Sequence, residues 1–221
     1  MAIINGTNDP ETLNGTPGDD VITGLRGNDI LRGGAGNDAF VWNPGDGSDT
    51  IDGQAGFDVM QFNGANINEQ FVISAIGHHA QFTRDVAAIV MDTDNVERIE
   101  LDAKAGADTL TVDDLGGTSV RQIAVDLGAL DGAVDTVIAN GAGSGDSFNV
   151  TFANGIVTVV GAHETTTIAD AEFADHLVVN GLGGNDTINA AGLPAAALQL
   201  TLDGGAGDDK ISGGQGARSA E

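Results

Sequence analysis

Glycine returns every nine residues at the start of this chain, at positions 6, 15, 24 and 33, and this spacing dictates a fold of stacked, near-identical turns. Written as nonapeptides, residues 6–14 read GTNDPETLN, 15–23 GTPGDDVIT, 24–32 GLRGNDILR and 33–41 GGAGNDAFV. After a two-residue insertion, Trp42-Asn43, the pattern resumes as PGDGSDTID over 44–52 and GQAGFDVMQ over 53–61. The sixth position carries Glu11, Asp20, Asp29, Asp38, Asp49 and Asp58. The fourth carries Gly18, Gly27, Gly36, Gly47 and Gly56, with Asp9 the exception. The eighth is always apolar: Leu13, Ile22, Leu31, Phe40, Ile51 and Met60.

Each position has a physical task. Glycines allow a tight turn that exposes its carbonyl oxygens, and the aspartate adds a short, hard anionic ligand beside them. The last three residues form a very short strand whose middle side chain faces inward. One unit cannot bury that side chain alone, so units must stack. An isolated match to this pattern is most often only a turn, but six copies in phase point to metal.

Composition narrows the metal. The 221 residues include 33 acidic and 8 basic side chains, a formal charge of −25. Such a chain repels itself on compaction unless a cation intervenes, and it lacks the clustered Lys and Arg that nucleic acid requires. A merely soluble or halophilic acidic protein would share this composition; the phased repeat separates the cases. With no cysteine there is neither a disulfide nor a thiolate site, so hard oxygen ligands dominate, which suits calcium or magnesium. Met1-Ala-Ile-Ile-Asn5 shows no cleavable signal peptide, and no apolar run approaches the roughly 18 residues of a transmembrane segment. On those two features alone the chain reads as soluble and cytosolic.

The pattern GGxGxDxUx, clearest in Gly33-Gly34-Ala35-Gly36-Asn37-Asp38-Ala39-Phe40, resembles the RTX, or hemolysin-type calcium-binding, repeat. The resemblance implies an all-β, right-handed parallel β-roll or β-helix solenoid, with two nonapeptides per turn and calcium ions between stacked Gly/Asp-rich loops. Loop 15–20 would face 33–38, which faces 53–58; on the other side 6–11, 24–29 and 44–49 would stack. The family's ligands are carbonyls of positions one and three from one loop, of positions two and four from the next, and both aspartates. Carried onto this chain, Gly15 and Pro17 face Gly34 and Gly36, while Gly33 and Ala35 face Gln54 and Gly56. On the other side Gly24 and Arg26 face Gly45 and Gly47, and Gly27 faces the first loop. The carboxylates are Asp20, Asp29, Asp38, Asp49 and Asp58. Glu11, Asp9 and Pro44 depart from the pattern and leave the first loop with an imperfect ligand set. Proteins of this family are exported without an N-terminal signal, so the resemblance moves the expected location outside the cell. Extracellular calcium modules, binding at about 0.1–1 mM, fit that setting.

Beyond Phe62 the strict period is lost, but short alternating runs such as Phe71-Val-Ile-Ser-Ala75 and Ala88-Ile-Val-Met91 read as strands, and Asn154-Gly155 as a tight hairpin turn. A looser repeat aligns 97–108, 135–146, 175–186 and 198–209. These segments are expected to be four coils in register, with Leu101, Ala139, Val179 and Leu202 in one inward row and loops 103–108, 141–146, 181–186 and 204–209 on one edge. The last two loops keep the calcium pattern, giving further ligands Gly181, Gly183 and Asp186 facing Gly205, Gly207 and Asp209. Loops ending at Asp108 and Asp146 read as solenoid turns without metal. Gly213-Gly-Gln-Gly216 opens another repeat that breaks at Ala217-Arg218. The expected organisation is 1–61 as an N-terminal RTX β-roll, 62–180 as an irregular β-solenoid or β-rich middle with degenerate repeats, and 181–221 as C-terminal RTX-like calcium loops and tail.

No catalytic constellation stands out, so no enzyme is expected. Tyrosine is absent, lysine occurs only at 104 and 210, and no HExxH, GxSxG or phosphate loop is present. His78 and His79, read as strand neighbours, would point to opposite faces. A structural, adhesive or accessory module follows, with calcium as cofactor and anionic glycans or a cell surface as partners. The alternatives are a surface-layer component or a calcium-dependent polysaccharide lyase or epimerase on a β-helix.

Overall fold

The computed structural model describes residues 1–128, 130–161 and 163–214, together with the backbone of 218–220. The repeats form short strands that alternate between two sheets: β1 (Ala2–Asn5), β2 (Thr12–Asn14), β3 (Asp20–Thr23), β4 (Ile30–Ala35), β5 (Ala39–Trp42), β6 (Thr50–Ala55) and β7 (Val59–Asn63). Odd strands pair in parallel with odd, and even with even, so each turn of the chain adds one strand to each sheet. The apolar eighth position points inward at every turn: Ile22, Leu31, Phe40, Ile51 and Met60 are all at most 1% exposed, and Leu13 at the open end is half-buried.

The regular winding is interrupted twice. A three-stranded antiparallel meander, β8 (Gln70–Ile76), β9 (His79–Arg84) and β10 (Ile89–Asp94), lengthens the second sheet by two strands. Parallel winding returns with β11 (Arg98–Asp102), β12 (Thr109–Val112), β13 (Gln122–Asp126) and β14 (Thr136–Asn140). A second meander then lengthens the first sheet: β15 (Ser147–Ala153), β16 (Ile156–Val160) and β17 (Thr165–Ala169). Asn154 and Gly155 make its hairpin turn with φ of +53° and +81°, as a two-residue turn of this type requires. The chain closes with β18 (His176–Asn180), β19 (Thr187–Gly192), β20 (Gln199–Asp203), β21 (Lys210–Ser212) and β22 (Arg218–Ala220). Each sheet thereby reaches eleven strands, ordered β1-β3-β5-β7-β11-β13-β17-β16-β15-β19-β21 and β2-β4-β6-β10-β9-β8-β12-β14-β18-β20-β22. The junction at Gly213–Ala217 lies mostly outside the described residues, but Arg218 pairs with Thr201, adding a last strand to the second sheet.

The two-residue insertion supplies the largest core anchor. Trp42 stacks on Phe62 at 4.0 Å and donates from Nε1 to the Gly47 carbonyl at 2.8 Å. Phe71 and Phe82 of the first meander complete this aromatic cluster.

The expectation of four coils in register holds for three of them. Thr136 pairs with His176 and His176 with Gln199, so Ala139, Val179 and Leu202 form one buried row. The 97–108 segment is half a turn out of phase. Its strand β11 lies in the other sheet, with Leu101 paired to Phe62 and Val125. The cause is the chain between 109 and 135, which contributes one further strand to each sheet before the aligned segments begin.

Candidate metal centre

Most described turns between the sheets end on an acidic residue at the start of a strand, with Arg121 before β13 and Leu198 before β20 as exceptions, and these acids form hydrogen-bonded columns. The main-chain N–H of Asp20 donates to Asp38 Oδ1, Asp38 N–H to Asp58 Oδ1, and Asp58 N–H to Glu97 Oε2, at 2.8, 2.8 and 2.7 Å. Across the molecule Glu11 donates to Asp29, and Asp29 to Asp49, at 2.8 and 2.9 Å. A third column runs Glu69, Asp108, Asp135, Asp175, and a fourth Asp146, Asp186, Asp209. The loop stacks read from the repeats, 15–20 with 33–38 and 53–58, and 6–11 with 24–29 and 44–49, are those observed. Loops 141–146, 181–186 and 204–209 also stack. Loop 103–108 instead stacks on the opposite edge, with Asp108 between Glu69 and Asp135, because its coil is half a turn out of phase.

Within a column, the opening loop differs from those that follow. In the opening loops the second residue donates its N–H to the loop's own carboxylate: Thr7 to Glu11, Thr16 to Asp20, Ala65 to Glu69 and Ala142 to Asp146. In later loops that second residue is left-handed, with φ of +68° at Leu25, +103° at Gly34, +69° at Gln54, +76° at Lys104 and +69° at Leu182. Its N–H no longer reaches the carboxylate, and the Oδ2 atoms of Asp29, Asp38, Asp58, Asp108 and Asp186 are buried without a hydrogen-bond partner. A non-glycine residue held left-handed costs about 1–2 kcal/mol, and an unsatisfied buried acceptor costs about 1–3 kcal/mol more. A cation between loops would answer both costs at these five positions.

The expected ligand positions are brought together as pairs of loops. Gly34 and Ala35 lie in register with Gln54 and Ala55. The Gly33 carbonyl closes on Gly15 and the Gly53 carbonyl lies 2.6 Å from where a Gly33 Cβ would stand. Gly47 sits against the Gly27 carbonyl, Gly56 against that of Gly36, and Gly24 beneath the carboxylates of Asp29 and Asp49. Pro17 and Arg26 occupy exposed bends of their loops, and Gly45 turns with φ of +108°. In the last stack Gly183 bridges to Ala206, the Gly204 carbonyl lies 2.6 Å from the Cβ position of Gly181, and Gly205 and Gly207 close on the carbonyls of Leu182 and Gly184. The donor set is carboxylate and carbonyl oxygen throughout, which fits a hard divalent cation.

Electrostatics agree. Burial, reinforced by the facing carboxylate of Asp29, raises Asp49 to about 7 against the N–H bond from Asp29. Burial with Asp38, Glu97 and Asp52 nearby raises Asp58 to about 6. Asp108 rises to about 7 and Asp135 to about 6, again chiefly from burial and then from neighbouring carboxylates. Asp29 and Asp38 are raised for the same reasons. Acids at Glu69, Glu97, Asp135 and Asp175 join the columns although the sequence reading did not single them out. Each stands directly before an alternating apolar run, as in Glu69-Gln-Phe-Val-Ile and Asp175-His-Leu-Val, which is the signal that could have found them.

The adjacent histidines depart from expectation. His78 lies in the tight turn between β8 and β9 and His79 opens β9, so the two rings meet edge to face at 4.3 Å instead of pointing to opposite faces. His79 Nδ1 lies 2.8 Å from Asp92 Oδ1, and His78 is 3.6 Å from Asp94.

Comparison with curated proteins gives no match. Among solved structures the chain is similar to the extracellular lipase LipA from Serratia marcescens, at 14% identity and a TM-score of 0.20 over 75% of this chain. The alignment spans 37% of that lipase, well under half its length. The RTX calcium-binding nonapeptide repeat matches in four copies, over residues 5–40, 45–61 and 201–218.

Proposed function

We propose that the chain binds calcium ions in the gaps between stacked loops, and that binding completes its fold outside the cell. The supporting observation is the contrast between self-closed opening loops and later loops whose carboxylate Oδ2 is left without a partner. Asp20, Asp38 and Asp58, Asp29 and Asp49, and Asp186 and Asp209 would hold the ions, with the loop glycine carbonyls completing each shell. Asp108, whose Oδ2 is left without a partner in the same way, extends this reading into the middle of the chain. Calcium supplies the charge that lets the facing carboxylates approach, so folding free energy and binding free energy are linked. Such a chain stays extended where calcium is scarce and folds where it is plentiful, as a structural, adhesive or accessory module.

Circular dichroism of the full chain, calcium-free and then titrated with calcium, tests this directly. Strand signal should rise with calcium and respond weakly to magnesium, which demands tight octahedral geometry. A strand spectrum already complete without calcium would overturn the coupling.

The reading as a polysaccharide-active enzyme rests on a groove of about 460 Å³ on the outer face of the first sheet, lined by Gln61, Asn63, Arg98, Glu100, Asp102 and Asp126 among others. Arg98 is already paired with Glu100 at 2.7 Å, and the remaining charges are acidic, which weighs against an anionic sugar there. A glycan-binding screen separates a sugar-binding role from a purely structural one.

A further inference from the structure

We propose that Asp114, His163 and Glu164 form a second kind of metal site, one that takes a single divalent transition-metal ion of the zinc type. The site joins two connections that are far apart in sequence, the segment between β12 and β13 and the one between β16 and β17. They meet because β13 and β17 are neighbours in register, Gln122 against Thr165. Glu164 therefore occupies the place, directly before a strand, that the column carboxylates hold elsewhere on this edge. Here β16 intervenes antiparallel, so no loop stacks beyond it to share an ion.

A ligand atom from each of the three side chains lies within 4.8 Å of the others. His163 Nδ1 is 2.8 Å from Asp114 Oδ1. Gly116 lies beneath the pair: a Cβ there would stand 3.0 Å from His163 Cε1 and 3.2 Å from Asp114 Oδ2. Glu164 is 8% exposed, and its Oε2 is buried with no hydrogen-bond partner. The His163–Asp114 contact alone leaves that oxygen orphaned, whereas an ion shared by all three satisfies it. Burial first, and the Asp114 charge second, raise the Glu164 carboxyl, as a divalent cation would reverse.

The donor set decides the metal class. The column loops offer oxygen alone, which suits calcium. Two carboxylates and an imidazole give the three protein ligands, with a position left for water, that zinc commonly adopts. Imidazole favours zinc, cobalt or nickel over calcium and magnesium. Ligands on one tetrahedral ion stand roughly 3.3 Å apart, so the His163–Asp114 contact must open slightly on loading. His78, His79 and Asp94, two imidazoles and one carboxylate, form the other such group among the described residues, but they are exposed or half-exposed and none of their buried atoms lacks a partner.

The test is titration of the full chain with Zn²⁺ by calorimetry, in calcium high enough to fill the loops, with Co²⁺ absorption as a report on ligand geometry. One zinc per chain should bind, and calcium should not displace it. His163→Ala, at a half-exposed ring, should weaken zinc by more than the roughly 10–100-fold that loss of an outer-shell partner costs. Glu164→Gln should do the same, with unchanged calcium stoichiometry and circular dichroism showing that the fold persists. His79→Ala should leave zinc affinity unchanged. Absence of zinc binding in calcium, full retention in His163→Ala, or transfer of the loss to His79→Ala would overturn the proposal.

Discussion

Arg84 and Glu69 form a buried ion pair, with Nε and Nη2 of the arginine both reaching Glu69 Oε1. The arginine side chain is 4% exposed and the glutamate 0%, and the guanidinium lies 5.3 Å from the Trp42 ring centroid. The third column thus opens on a cation supplied by the chain itself, where the others open on a loop closed over its own carboxylate alone. Removing one partner of such a pair leaves a buried, uncompensated charge. Arg84→Met should cost about 3–5 kcal/mol in urea unfolding of the calcium-loaded chain. The double variant Arg84→Met/Glu69→Gln should lose much less, since no lone charge remains. A double variant as unstable as the single one would show that the packing of Arg84 on Trp42, and not its charge, matters.

Acid should help the calcium-free chain. Asp49 and Asp108 sit at about 7 and Asp58 and Asp135 at about 6 when folded, all above the roughly 3.9 of an unfolded aspartate. Between those limits the folded state binds more protons than the unfolded one, so its stability falls as pH rises through 6 to 7. In calcium-free buffer, strand content at pH 5 should exceed that at pH 8, and added calcium should remove the difference. Greater strand content at the higher pH without calcium would contradict the column electrostatics.

Asp38 lies between two loops, with its N–H on Asp58 and its Oδ1 taking the N–H of Asp20. Glu11 opens its column and is held by Thr7. Equilibrium dialysis should therefore find that Asp38→Ala loses more calcium per chain than Glu11→Ala. Equal losses would mean that ions are not shared between successive loops.

Leu182 is held at φ +69° and is 51% exposed, so its side chain contributes little packing. Leu182→Gly should relieve about 1–2 kcal/mol of left-handed strain against the roughly 0.5–1 kcal/mol of added chain entropy. A small net rise in thermal stability is expected, while the β-branched Leu182→Val should lower it. The same order of effect at Thr16, which is not left-handed, would rule out backbone strain as the cause.

The loops were legible because two constraints coincide every nine residues: a glycine turn that only glycine makes cheaply, and an acid that must face its counterpart. Asp20, Asp38 and Asp58 could be paired because the resemblance to the RTX repeat implies two nonapeptides per turn. What spacing could not supply was the phase of Asp108, which looks like Asp146 and Asp186 locally but belongs with Glu69 and Asp135. The chain between 109 and 135 adds one strand to each sheet without disturbing the local pattern, so 135–146 starts half a turn away from 97–108 unseen. The left-handed second position was hidden for a different reason, since the leucines at 25 and 182, Gln54 and Lys104 have no side-chain chemistry common to all and are selected by what the backbone must do. Asp114 and His163 stand 49 residues apart and meet only through the pairing of β13 with β17.

The two meanders sit in opposite sheets and at different heights, and this gives the molecule the property of a wall with staggered joints. Where β10 and β9 break the column on one edge, Asp58 remains tied to Glu97 on the other. Where β17 and β16 break the second edge, the first still carries Glu69, Asp108, Asp135 and Asp175 in unbroken succession. A pull along the long axis therefore never meets both joints at one level, and a chain laid in this way can transmit tension from end to end without a plane of easy cleavage.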